Sequence, residues 1–278
     1  MAPSFHARSN SLPSRPHPLV LRCNEHIDRL KASCEASSSS LLVHNIEGLR
    51  DLHDCVENLI QLPLIQQALL QECEDNLLDE LLDGSLRLID ACTAAKDSLL
   101  HTKECNRELR WIIRRKKGGD LEEAKKFLTS RKVVRKAILK TLGNMRCSTR
   151  KSSFSPTNLA LVSLLKEVEA VTLSVFKSLL SFISGSTQAK SSRWSLVSKI
   201  VHNPKTVADE ENEFAQADAA LQFFVLSLTS KSVSENTSNL QAQLEKLESR
   251  TEDLEEGLEF LFRRLIKIRV ALLNIFNN

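Results

Sequence analysis

LQAQLEKLESRTEDLEEGLEFLFRRLIKIRVALLNI, residues 240–275, repeats apolar side chains at alternating steps of four and three. The seam runs Leu240, Leu244, Leu247, Thr251, Leu254, Leu258, Leu261, Leu265, Ile268, Leu272 and Ile275, with Thr251 alone polar. Residues so spaced line one side of a continuous helix. Burying one large aliphatic side chain stabilises by roughly 1.5–3 kcal/mol, so the apolar seam is worth on the order of 15–30 kcal/mol before chain entropy is subtracted. Such a stripe needs a cover, from this chain or from another.

The flanks of the seam change along its length. Glu248, Arg250 and Glu255 occupy the charged flanking positions of a coiled-coil frame. Past Gly257, Phe260, Phe262, Ile266, Val270, Leu273 and Phe276 add apolar side chains outside the seam. Arg263, Arg264, Lys267 and Arg269 are then expected to reach for the rim. This widening predicts a helix of two characters. The carboxy-terminal half belongs inside its own bundle, whereas Leu240, Leu244, Leu247 and Leu254 form a pairing seam that projects or meets another chain, a second copy included.

The rest of the chain reads as helix too. It has 278 residues, 42% hydrophobic and 26% charged, as a folded protein does. There is no tyrosine, β-branched alternation is scarce, and no proline falls between Pro63 and Pro156. The fold class is all-α: an antiparallel multi-helix bundle with long helices and the heptad-patterned helix last. Residues 1–17 form a basic Ser/Pro-rich tail expected to be disordered, and 18–278 the helical domain. Helices are predicted from Pro18 to about Cys34, from a cap at Ser40 to near Pro63, and from Leu64 to about Lys117, long or kinked, with Gly84 its weak point. Gly118-Gly119 stops that helix and Asp120 caps the next, which runs to about Met145. Further helices span about Leu159 to Ile183 and about Asp209 to Ser230, with a short piece around Trp194 to Val201. Flexible linkers are expected near 147–158 and 185–193.

Chemistry is sparsely signalled. Seven cysteines, an odd number without C-x-x-C, give neither a disulfide framework nor a zinc site and read as buried thiols. The histidines stand apart; His44 and His53 lack the i, i+4 spacing of a shared metal. No nucleophile elbow, metalloprotease motif, phosphate loop or dinucleotide fingerprint occurs, so no cofactor and no catalytic residue is expected. Acid-rich runs such as Glu72, Glu74, Asp75, Asp79 and Glu80 read as solvated helix faces.

Two basic features remain. Arg8-Ser9-Asn10-Ser11-Leu12-Pro13 has the R-S-x-S-x-P form that 14-3-3 proteins read once the second serine is phosphorylated. The phosphate on Ser11 supplies charge and acceptors for an Arg cluster, and Pro13 turns the chain away. The same acid-free tail is also compatible with a chloroplast transit peptide, against which a cytoplasmic regulatory tail is preferred. Between Arg107 and Lys151 the local balance is +12 in a chain of net +3, leaving about −9 elsewhere. Arg114, Arg115, Lys116 and Lys117 end one helix; Lys125, Lys132, Arg135, Lys136 and Lys140 line the outer side of the next, opposite Ala124, Phe127, Leu128, Val134, Ile138 and Leu142. Three readings compete for this cationic side: pairing with the acidic remainder, an anionic membrane surface, and nucleic acid. Trp111 and Phe127 are too few for single-strand stacking, which disfavours the third.

Three segments together resemble the plant Bypass-like (BPS-like) family, a plant-specific domain of unknown function: FHARSNSLPSRPHP (Phe5 to Pro18), RELRWIIRRKKGG (Arg107 to Gly119) and LEEGLEFLFRRLIKIRVALLNIFN (Leu254 to Asn277). The resemblance covers essentially the whole chain. It implies a plant source and an association with root and shoot development, and supplies no catalytic residue or cofactor. The expected function is therefore a non-enzymatic regulatory or adaptor protein acting through helix-mediated protein contacts. The alternative is a peripheral protein that binds anionic lipid through residues 107–151.

Overall fold

A computed structural model describes residues 17–33, 39–72, 75–115, 121–148, 160–185, 212–227 and 233–277. Eight helices account for nearly all of them: α1 (Pro18–Ser33), α2 (Ser39–Ile60), α3 (Pro63–Glu72), α4 (Asp75–Arg115), α5 (Leu121–Ser148), α6 (Ala160–Ile183), α7 (Glu213–Ser227) and α8 (Val233–Phe276). The described residues contain no strand, so the all-α bundle is as expected.

Local chemistry explains most of the bounds. Pro18 and Pro63 each occupy a first helical position, where the missing N–H is not needed. Two expectations are corrected. Ser40 is inside α2, not its cap. The stretch from Leu64 to Lys117 is helical as α3 and α4 where it is described, with Gly84 inside α4, and residues 73, 74, 116 and 117 lie outside the described residues. The helix expected from Asp209 starts at Glu213, because the Asn212 carboxamide accepts the N–H groups of Phe214 and Ala215 at 3.0 and 3.1 Å. α5 runs on to Ser148, past the first residues of an expected linker. The amino-terminal tail, the Gly118-Gly119 stop, the Asp120 cap and the piece around Trp194 lie outside the described residues.

Two helices organise the molecule. α4 has 41 residues and α8 has 44, which makes each about 60 Å long or slightly more. They run antiparallel along their whole length: Ser85 meets Arg269, Lys96 meets Glu259, and Arg110 meets Glu245. Together they form a front layer two helices wide. The back layer changes halfway. At one end α2 packs on α8 and α6 on α4, with α2 and α6 in mutual contact; α1 lies against both and α3 against α8. At the other end α7 packs on α8 and α5 on α4, with α5 and α7 closing the ring. The molecule is thus two four-helix bundles set end to end, sharing α4 and α8.

Every seam residue of α8 is buried. Leu240, Leu244, Leu247 and Thr251 are wholly inaccessible and Leu254 nearly so. The sequence reading of Leu240, Leu244, Leu247 and Leu254 as a surface for another chain is therefore overturned, because α4 and α7 of this chain cover them. The opposite half also departs from expectation. Phe260, Ile266 and Val270 remain exposed, while Phe262, Leu273 and Phe276 are half-buried.

Candidate functional site

The basic segment divides into three parts. Its first arginines belong to a ladder across the α4–α8 front. Arg107 donates to Glu248 at 3.1 Å and Glu252 at 3.0 Å, Arg110 to Glu245 at 2.9 Å, and Arg114 to Glu245 at 3.4 Å. Lys103 pairs with Glu255 and Lys96 with Glu259 further along. The Arg115 guanidinium lies over the Trp111 ring at 4.5 Å. Arg114 and Arg115 therefore have partners in the chain, and Lys116 and Lys117 lie outside the described residues. Buried Asn106 donates to the Leu244 carbonyl at 2.9 Å, fixing the register beneath the ladder.

The second part turns inward. Arg131 is buried and donates to both carboxylate oxygens of Asp218 on α7, at 3.0 and 3.2 Å. It also donates to the Ile183 carbonyl at 2.8 Å and the Thr102 hydroxyl at 3.3 Å. Arg135 joins the same carboxylate and donates to the Ser184 carbonyl at 2.7 Å. The Asn212 Nδ2 amide donates to the Phe182 carbonyl at 2.9 Å. The last carbonyls of α6 are thus satisfied by cations and an amide from α5 and the start of α7, a buried helix C-terminus with its acceptors filled. Gly185 follows at φ +69°, the left-handed conformation glycine supplies at a helix end. Arg135, read from sequence as part of an anionic-surface patch, is a structural residue here. Arg131 escapes sequence reasoning: one step before Lys132, nothing marks it as inward, and its acidic partner is 87 residues away.

The third part stays outside. Lys125 pairs with Glu122 at 3.0 Å, and Lys126 with Glu108 at 2.8 Å and Glu123 at 3.7 Å. The Lys126 ammonium is held above its ordinary pKa, first by the Glu108 hydrogen bond and then by the charges of Glu108 and Glu123. Beyond Glu123 no carboxylate occurs on α5. Lys132, Lys136 and Lys140 stand one turn apart on its exposed side without an ion pair among the described residues. Val133 and Leu139 are exposed beside them.

Beneath this side lies an open groove of about 430 Å³ between α4 and α5. Leu109, Phe127 and Val133 give it apolar walls. At one end His101 Nε2 and Ser130 Oγ are 2.6 Å apart, and Cys105 Sγ is 3.1 Å from the same hydroxyl. His101 and Cys105 share the i, i+4 spacing of one helix face, a signal legible in sequence; Ser130 comes from another helix and had none. The trio does not complete a nucleophile. All three side chains sit mid-helix, where backbone N–H groups are spent within the helix and none faces a developing oxyanion. Two other thiols are held protonated: burial pushes Cys92 up to about 12, and burial with the Cys55 neighbour also raises Cys23.

At the opposite end His53 is fully buried. Thr172 donates its hydroxyl to the Val168 carbonyl at 2.7 Å, so it accepts from His53 Nε2 at 3.0 Å and the proton sits on Nε2. Burial, then the Arg264 charge, holds this imidazole down at about 4. Among the described residues no cluster of three or more His, Cys, Asp or Glu is placed to hold a metal ion, and no helix is long and apolar enough to cross a membrane.

The described helices pack as an end-to-end, all-α bundle. The family model described as Protein BPS1 matches residues 45–275. The chain belongs to that family, the plant Bypass-like proteins, and is a plant development-related protein of a family not known as enzymes. No curated protein and no solved structure matches it.

Proposed function

We propose that the chain is a non-enzymatic regulatory adaptor of root and shoot development that works in the cytoplasm through helix-mediated protein contacts. The observation that supports this is the front face of α4 and α8. Past the ladder, Ile266 and Val270 on α8 and Leu86 on α4 are 40%, 48% and 42% exposed, where a closed bundle would present polar residues. Proximity labelling in plant cells tests it: an Ile266→Glu/Val270→Glu variant that folds but loses its labelled neighbours supports the reading, and an unchanged neighbour set removes it.

A second reading rests on Lys132, Lys136 and Lys140 with Val133 and Leu139. Cations interleaved with exposed apolar side chains suit an anionic membrane surface. Co-sedimentation with vesicles containing phosphatidylserine, lost on reversing the three lysines to glutamate, is the expected result; binding unaffected by that reversal counts against it. The tail adds a regulatory handle. A Ser11-phosphorylated peptide should bind a 14-3-3 protein through Arg8, Ser9 and Pro13, and equal binding of the unmodified peptide would remove that role.

A further inference from the structure

The front face carries a charge pattern that the described residues of its own chain leave largely unpaired. On α4, Asp79, Asp83, Asp90 and Asp97 project along the outer edge, exposed and without an ion pair among the described residues. Their spacing of four and seven places them on one side of the helix. On α8, Lys267 is exposed and likewise unpaired, and Arg263 pairs among the described residues with Glu259 of its own helix, at 2.9 Å. Between the acidic edge and the basic edge run Leu86, Ile266 and Val270. Over the stretch of Asp83 and Asp90 on α4 and of Arg263 and Lys267 on α8, the face is thus acidic, apolar and basic in order across its width.

We infer that this face binds a second copy of the chain, as a two-fold dimer whose axis runs along the helices. This rests on reading the α4–α8 front as the interaction face and names its partner. The charge order selects the geometry. A two-fold axis parallel to α4 and α8 lays α4 of one copy over α8 of the other, so each acidic edge meets a basic edge and the apolar strips meet in the middle. An axis across the helices lays α4 on α4 and opposes acid to acid, which like-charge repulsion disfavours.

The levels along the helices agree with the first arrangement. Lys96 pairs with Glu259 and Ser85 with Arg269, which puts Asp90 level with the turn between Arg263 and Lys267. Under the parallel axis, levels are preserved between copies, so Asp90 faces that turn of its partner. The extent fits a modest interface. From Asp79 to Asp97 the face runs about 27 Å and spans two helices, about 20 Å, or roughly 500–600 Å² in projection. A standard interface takes about 800 Å² of accessible surface per partner, so the dimer is expected to be weak and concentration-dependent rather than obligate.

Sedimentation of the full chain over a dilution series tests this. The expected result is a monomer–dimer equilibrium in the micromolar range. Asp83→Lys/Asp90→Lys and, separately, Arg263→Asp/Lys267→Asp should each weaken it at least tenfold with helical content unchanged. Mixing the two variants should restore a dimer, because both edge contacts become attractive again in the mixed pair. A wild-type monomer at every concentration, or a dimer indifferent to both reversals, overturns the inference. If the wild type is monomeric while Ile266→Glu/Val270→Glu still loses its labelled neighbours in cells, the second copy is excluded and the adaptor reading stands with a different protein on this face.

Discussion

The two ends of α8 share one seam and differ in their flanks. Toward its start, the flanking glutamates meet Arg107 and Arg110 across the front, and Arg250 meets Glu213 of α7 at 2.9 Å behind. There the helix is closed on both sides. Toward its end, Arg264 binds Asp54 and Glu57 behind, but the front flank is Ile266 and Val270 and stays open. A complete seam therefore says only that a helix is covered along one side. Which end has surface left over depends on the flanks, and on whether a neighbouring helix carries their complement.

The two ends also bury polarity differently, and this difference is open to measurement. At the Arg131 end the buried group is an ion pair, so removing Asp218 leaves Arg131 uncompensated inside the protein. Asp218→Ala should lower unfolding free energy by about 3–5 kcal/mol in denaturant titration. Combining it with Arg131→Met should recover much of that loss, since an apolar replacement of the whole pair strands no charge. A loss under about 1 kcal/mol would mean the network is not the lock that joins α5, α6 and α7.

At the His53 end the buried group is neutral, and the expected signature is pH dependence. An unfolded histidine titrates near 6.5, whereas this one is held down at about 4. A depressed folded value means that protons bind the unfolded chain first as pH falls. The stability is whole above pH 6.5 and lost progressively from there to about pH 4, reaching about 3 kcal/mol. His53→Gln, which keeps a donor toward Thr172, should flatten thermal midpoints between pH 6.5 and 5. The carboxylates act lower: Lys96 holds Glu259 below its ordinary range, so that contribution stays until pH falls beneath the unfolded carboxylate value. A wild-type curve flat from pH 7 to 5 would show that His53 is not buried as described.

What was legible in the sequence follows the range of the interactions. The helices, the seam and the apolar side of α5 rest on periodicity within one segment; Ala124, Phe127, Val134 and Ile138 are buried as that period requires. The basic segment was visible, but its division into ladder, buried network and free lysines was not. That division is set by Glu248, Asp218 and other partners far away in the chain, whose faces depend on how α7 and α8 dock. The pairing seam at Leu240 failed for the same reason, since nothing in residues 240–254 announces that α7 lies over them.

Glycine substitutions give the smallest and most local contrast. Gly257 sits where α8 crosses α2, and a Cβ there would come within 2.7 Å of the Ile46 methyl. Gly257→Ala should therefore destabilise the His53 end by about 1–3 kcal/mol through overpacking, despite alanine's better helix propensity. Gly143 lies on the exposed side of α5, and a Cβ there would meet nothing within 4 Å. Gly143→Ala should stabilise by about 0.5–1 kcal/mol, the propensity gain alone. The same substitution thus carries opposite signs at two helical sites, because only at Gly257 does a second helix occupy the space. If both variants were stabilised, α2 and α8 would have to sit further apart, and the four-helix ring around His53 would be looser than the one around Arg131.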